Sequence, residues 1–303
     1  MTFDIHKLNY LLICVFPLIY ITGPFLPDAI ISFIALFYLF YIFYFKKWDD
    51  FKSRLVILIF FFWIYCLLRS LLSENPILSL EHSLFYIRFL FFALAVNFYL
   101  LKFDKLKYHV GISLWIITVF VTFDGLLQYF TGFNTLNFRA DEYRISGIFG
   151  EEYVLGSYLS RVMPFCFYFL AISSNLGKKI FIIAMFFLIL VDVLIFFAGE
   201  RTAFFYLILG TAIIVLLTRK YKLIRAVAFL ISILIILISV LQLPLLKKRM
   251  VNYTLEQIGV SENEDKIKVF SIEHELHFRS ALEMFKDNII FGHGPKMFRE
   301  LCK

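Results

Sequence analysis

Charge is what this chain of 303 residues has least of: Asp, Glu, Lys and Arg make up 17% of it, against about 25% in an ordinary soluble domain. So few charged side chains could not shield the rest, because 61% of the residues are hydrophobic. A soluble domain of this length is excluded. Cysteine is scarce too. Cys14, Cys66, Cys166 and Cys302 stand far apart, three of them in apolar runs. With no C-x-x-C pair and no zinc-ligand spacing, a disulfide-stapled module is excluded. No Pro-rich or Gly/Ser-rich linker and no repeat of fixed period divides the chain. No pair of histidines joins a carboxylate at metal-ligand spacing. The patterns G-x-x-x-x-G-K-[ST], G-x-G-x-x-G and G-x-S-x-G are missing, which removes support for nucleotide-driven and serine-hydrolase chemistry. Disorder is excluded by an aromatic share of 20%, since disordered chains are poor in such residues.

What is present is a series of long apolar runs. A membrane-spanning helix needs roughly 20 apolar residues, within about 17–25. Nine runs qualify: Leu8–Leu26, Ala29–Phe45, Leu55–Leu72, Leu84–Leu101, Val110–Gln128, Tyr153–Ser173, Ile180–Ala198, Thr202–Thr218 and Leu223–Leu243. They take up more than half of the chain and predict an all-α polytopic membrane protein, with residues 1–243 as the bundle. The net charge of +7 does not point to nucleic acid, because the basic residues sit mainly in short loops, where they report orientation. Fourteen lysines and arginines, Arg219, Lys220 and Arg225 among them, fall on one set of alternate loops. Only Arg139, Arg144 and Arg201 fall on the other. The positive-inside rule then places the N-terminus in the cytoplasm and the segment after Leu243 outside. That segment, 244–303, carries an amphipathic helix near 271–289, with Phe278, Leu282, Phe285 and Ile289 on one stripe. Gly292-His293-Gly294-Pro295 ends it as a turn. No further hydrophobic span follows, and a truncated reading frame is expected.

Ionisable side chains within a bilayer are costly and mark functional sites by default. Arg69, Arg88 and Arg161 fall inside the spans, and Arg201 opens one. The topology puts all four in the outer half, next to the loop bearing Arg144, and so predicts an outward-facing basic cavity. Arg69, one turn from its span end, is expected to snorkel to the interface, and Arg88 could do the same or pair with an acid. Arg161 lies roughly 12 Å along its helix and must face protein, water or ligand; an ion pair with Asp124 or Asp192 is the structural alternative. Arg201 stands at a helix N-terminus, whose dipole already favours anions.

Three stretches together resemble the O-antigen ligase/polymerase family of bacterial envelope proteins. Arg144-Ile145-Ser146-Gly147-Ile148-Phe149, running on to Arg161 and Pro164, looks like the family's Arg-x-x-Gly-x-Phe motif before a proline-bearing helix. Gly199-Glu200-Arg201-Thr202-Ala203 is similar to its Ser-Arg-Thr or Ser-Arg-Gly step, although Glu200 replaces a small residue and could partly neutralise the arginine. Phe278-Arg279 through Gly292-His293-Gly294-Pro295 resembles the helix and Gly-x-Gly-Pro turn that begin its large periplasmic loop. The resemblance covers roughly residues 140–303. The histidine that serves such proteins as candidate general base lies beyond that turn, and its role is not carried over to His293.

The resemblance implies a multi-pass protein of the bacterial inner membrane, active on its periplasmic side. It would move a glycan from an undecaprenyl diphosphate carrier to lipid A-core or to another carrier-linked glycan, with no metal or other cofactor. Arg201 and Arg161 would hold the donor diphosphate, supported by Arg144 and Arg88. Arginine suits this task, since its planar fork grips phosphate oxygens two at a time. The other reading is a transporter or channel for a small anion using the same cavity. It would call for charges in the inner half of facing helices, which the spans do not display, and for an inverted repeat.

Overall fold

The computed structural model describes residues 5–172, 177–218, 221–258 and 272–302. These residues form helices and no strand; one isolated bridge joins Phe133 and Arg139. In chain order the helices are α1 Ile5–Ile19, α2 Phe25–Phe45, α3 Arg54–Leu71, α4 Pro76–Phe85, α5 Ile87–Lys102, α6 Leu106–Thr131, α7 Leu155–Ile172, α8 Lys178–Phe197, α9 Arg201–Leu217 and α10 Lys222–Gln242. Four shorter or peripheral ones follow: α11 Pro244–Lys247, α12 Tyr253–Ile258, α13 Ile272–Asp287 and α14 Phe298–Leu301. Among the described residues, eight helical segments are long and apolar enough to cross a membrane, so the protein is an all-α polytopic membrane protein. The ninth expected span, Thr202–Thr218, is the apolar helix α9 of 17 residues. Ser173, Arg219, Lys220 and Ser271, which entered the expected spans, loop charges and amphipathic helix, lie outside the described residues.

The fourth span departs from expectation. It is preceded by a separate helix, α4, and the two meet at Tyr86. The local cause is readable: Asn75 caps α4 by accepting from the Leu78 amide at 3.3 Å, and Pro76 takes the first helical position, where its missing N–H costs nothing. The residues that α4 buries are serines, Ser79 and Ser83. The Ser70, Ser79 and Ser83 side chains hydrogen-bond one another at 2.8 and 3.0 Å.

The chain forms two compact units. The first comprises Met1–Phe16, Thr22–Asp104 and Ile267–Lys303, and so contains α2 to α5, α13 and α14. Its core is built on α2, where Ile34, Ala35, Tyr38 and Ile42 are buried at helical spacing, and on α5, which contributes Leu90, Ala95 and Tyr99. Arg88 of α5 reaches across to Asp28 of α2 at 2.7 Å. The second unit comprises Pro17–Ile21 and Lys105–Lys266. In it, α7 and α8 form the centre, with Leu159, Met163, Leu188 and Leu194 fully buried against α6 and α9. The 132–154 loop and the α8–α9 turn belong to this unit and carry the candidate site.

Candidate functional site: an arginine cluster

The 132–154 loop crosses one end of the second unit, and buried polar side chains fasten it there. Gln128, fully buried in the last turn of α6, accepts from the amides of Ser146 at 2.9 Å and Gly147 at 2.7 Å; its own amide group donates to the Phe138 carbonyl at 3.2 Å. Asn134 donates to the Gly147 carbonyl at 2.7 Å and accepts from Leu136 and Phe138. Asp124 accepts from the Thr135 amide at 3.0 Å and hydroxyl at 2.5 Å. An irregular loop at this depth needs such partners, because unmet backbone groups away from water are costly. Replacing Gln128 by Leu should therefore leave two buried amides unmet, at about 1–3 kcal/mol each. Hydrogen exchange at Ser146 and Gly147 is expected to accelerate strongly, and unchanged protection there would refute the role given to Gln128.

Against this loop lies the α8–α9 turn, Ala198-Gly199-Glu200. Gly199 has φ of +72°, and a Cβ built on it would stand 2.5 Å from the Tyr143 carbonyl oxygen; only glycine fits this approach. On its other side, the Gly199 carbonyl accepts from Arg249 Nε at 3.4 Å. Glu200 turns away from its own helix. Its carboxylate accepts from the Gly156 amide at 2.8 Å, and from the Ser157 amide at 3.3 Å and hydroxyl at 2.5 Å, capping the start of α7. A carboxylate suits that end of a helix.

Three arginines gather around this junction. Arg144 donates to the Tyr153 carbonyl at 3.1 Å and lies over the Tyr153 ring at 4.7 Å, while its Nε is buried without a partner. Burial and the neighbouring Arg249 hold its proton affinity below the ordinary arginine value, and Glu200 works the other way. Arg249 and Arg144 both repel Arg201. Lys248 adds a further positive charge, donating to the Tyr143 hydroxyl at 3.4 Å. Three half-buried guanidinium groups around one glycine, with the exposed Lys248 beside them, form a seat for an anion with several oxygens.

Beside Arg144 opens a cavity of about 200 Å³. Tyr129, Phe197 and Leu246 give it apolar walls, and Asp141 and Glu142 line it with carboxylates. Among the described residues, no three His, Cys, Asp or Glu side chains converge as metal ligands would.

Of the four arginines expected to act together, the structure brings Arg144 and Arg201 to one place. Arg161 is exposed on α7, its guanidinium 5.6 Å from the centre of the Tyr206 ring. Arg88, in the first unit, is ion-paired with Asp28 and lies over the Phe89 ring at 5.1 Å. Arg69 is not simply a snorkelling side chain: it donates to the carbonyls of Leu72 at 2.6 Å and Gly292 at 2.7 Å.

Neither Asp124 nor Asp192, the partners of the structural alternative for Arg161, is paired with it in this way. Asp124 is taken up by Thr135. Asp192 pairs with Arg225 at 2.7 and 3.0 Å, and Ser232 donates to it at 3.0 Å. Arg225 was expected in a cytoplasmic loop; instead it lies within α10, with no exposed surface. The reason is its register, since Arg225, Ala228, Ser232 and Ile236 form the buried face of α10. Charge therefore does exist inside the facing helices, contrary to the expectation used against a transporter. It is sealed from solvent, however, and its oxygens are met by protein donors. A pair of that kind holds helices together and does not line a path.

Arg249 was not foreseen. Compared with known proteins, the chain matches no family model, no curated protein and no solved structure.

Proposed function

We propose that this protein is a membrane glycosyltransferase of the O-antigen ligase/polymerase kind, taking a glycan from a lipid diphosphate. The observation that carries the reading is the gathering of Arg144, Arg201 and Arg249 around Gly199: a Cβ there would stand 3.3 Å from Arg144 Cγ, its carbonyl accepts from Arg249 Nε at 3.4 Å, and Arg201 is two residues on. Two of them belong to the segments that resemble that family. In the reaction, an acceptor hydroxyl oxygen bonds to the anomeric carbon while the bond from that carbon to the diphosphate oxygen breaks. The diphosphate leaves with the electron pair, and the hydroxyl proton passes to solvent water. Negative charge thus grows on the leaving group, where guanidinium groups fixed in advance lower the barrier.

The neighbouring cavity suits a sugar. Tyr129 and Phe197, stacked on each other with ring centres 4.8 Å apart, form an apolar wall, and the carboxylates of Asp141 and Glu142 can accept from hydroxyls. The uneven distribution of loop lysines and arginines supports a site on the non-cytoplasmic side; a periplasm and a bacterial plasma membrane follow from the resemblance. Lipid A-core or a second carrier-linked glycan would be the acceptor.

The test is glycan transfer in membranes supplied with a lipid diphosphate-linked donor. Arg201→Ala and Arg249→Ala should each lower the rate on the order of 10²–10³-fold, as loss of one strong transition-state donor does. Arg88→Ala should change it far less. Full activity in both Arg201→Ala and Arg249→Ala would defeat the proposal.

A further inference from the structure

Helix α13 has three faces. One, made of Ser280, Met284 and, just past the helix end, Asn288, is half-buried, and His293 Nε2 is hydrogen-bonded to the Met284 carbonyl at 2.8 Å. A second is charged and carries the pairs Glu275–Arg279 and Glu283–Lys286. The third is the apolar stripe anticipated from sequence, and it is bare: Phe278, Leu282, Phe285 and Ile289 are 51–63% exposed. The next residues, Ile290 and Phe291, continue it at 79% and 59%.

The position of this stripe is fixed by α3, a membrane-spanning helix of the same unit. The Tyr65 hydroxyl donates to the Phe291 carbonyl at 2.8 Å, and Arg69 Nε donates to the Gly292 carbonyl at 2.7 Å. Gly294, at φ of +101°, sits so close to the α3–α4 junction that a Cβ there would stand 3.2 Å from the Ser73 Cβ. The turn after α13 is therefore seated on the end of α3. Tyr65 lies six residues before Leu71, roughly 9 Å short of the span's end at the helical rise. Tyr65, Leu68 and Leu72 on that end are themselves exposed apolar residues, so the turn that carries the bare stripe is seated on the exposed apolar end of a helix long and apolar enough to cross a membrane.

We propose that α13 lies in the membrane interface, its Phe278–Ile289 stripe and Ile290-Phe291 immersed at the boundary between headgroups and acyl chains. An apolar face of this kind, flanked by charged residues and sunk by about 5–10 Å, is how interfacial helices are held. The occupant of the stripe is lipid, and neither a second copy of the chain nor another protein is required.

The experiment places a tryptophan on either face of α13 in the full chain, reconstituted in nanodiscs whose lipids carry bromine on the acyl chains. The signal of Trp48, Trp63 and Trp115, measured in the unmodified protein, is subtracted. Phe285→Trp, and independently Leu282→Trp, should lose most of their added emission to the brominated lipid and resist acrylamide in the aqueous phase. Glu283→Trp should do the reverse. Acrylamide quenching of all three with no effect of bromine would overturn the proposal. So would protection of Phe285→Trp and Leu282→Trp from both quenchers, because a protein surface would then be covering the stripe.

Discussion

Replacing Asp192 by Leu should be the most destabilising single change among those considered, at about 3–5 kcal/mol or beyond. The carboxylate receives two hydrogen bonds from Arg225 and one from Ser232, and Thr211 accepts a third bond from the guanidinium at 2.7 Å. All of this is enclosed by α8, α9 and α10, with no exposed surface on either charge. Without Asp192, a guanidinium that cannot give up its proton stays in an apolar interior. The opposite deletion, Arg225→Met, leaves a carboxyl group that can take up a proton and become neutral, so it should cost less. The double change Asp192→Leu with Arg225→Met removes both charges and should recover most of the loss, since buried pairs replaced by apolar residues of similar size are often neutral. Thermal midpoints in detergent would rank the variants: the double change nearest the parent, then Arg225→Met, then Asp192→Leu. Equal midpoints for both single changes and the parent would mean that the pair holds nothing together.

The membrane-spanning helices were legible because length and composition decide them, and no tertiary contact can disguise a run of about twenty apolar residues. α4 was hidden because it buries serines: Ser79 and Ser83 look like loop residues until Ser70 is seen to bond them. Arg225 was read as a loop charge because it stands three residues into its helix. Its true place was nevertheless written in the i, i+3, i+7, i+11 spacing with Ala228, Ser232 and Ile236, and in the polar Asp192 and Thr211 of the neighbouring runs. For the site, Arg144 and Arg201 could be picked out because charge is so rare around them. Arg249 could not, since it follows Lys247 and Lys248, and a basic run of that kind says only that a span has ended. Depth along a helix was a poor guide to Arg161. It gives the height of a residue and not the side it faces, and Arg161 lies over an exposed tyrosine ring.

Gly199→Ala should separate the arginine cluster from the fold that carries it. The added methyl meets the Tyr143 carbonyl oxygen at 2.5 Å, a contact with backbone that no side-chain rotation relieves. The positive φ adds about 1–2 kcal/mol for a residue with a Cβ. Either the α8–α9 turn or the 132–154 loop must yield. Gln128, Asn134 and Asp124 fasten the loop, and Glu200 fastens the turn to α7, so the strain falls on the short stretch between them. Arg144 adjoins Tyr143, Arg201 is two residues from Gly199, and Arg249 is bonded to the Gly199 carbonyl. The three guanidinium groups are thus set apart by the same displacement. A shift of about 1 Å in positioning groups can cost on the order of 100-fold in rate. Glycan transfer by Gly199→Ala should fall by about that factor, while its helical content stays that of the parent and its thermal midpoint drops less than that of Asp192→Leu. Transfer at the parental rate would show that the close approach of turn and loop is a packing detail, and that the arginines do not act on one substrate.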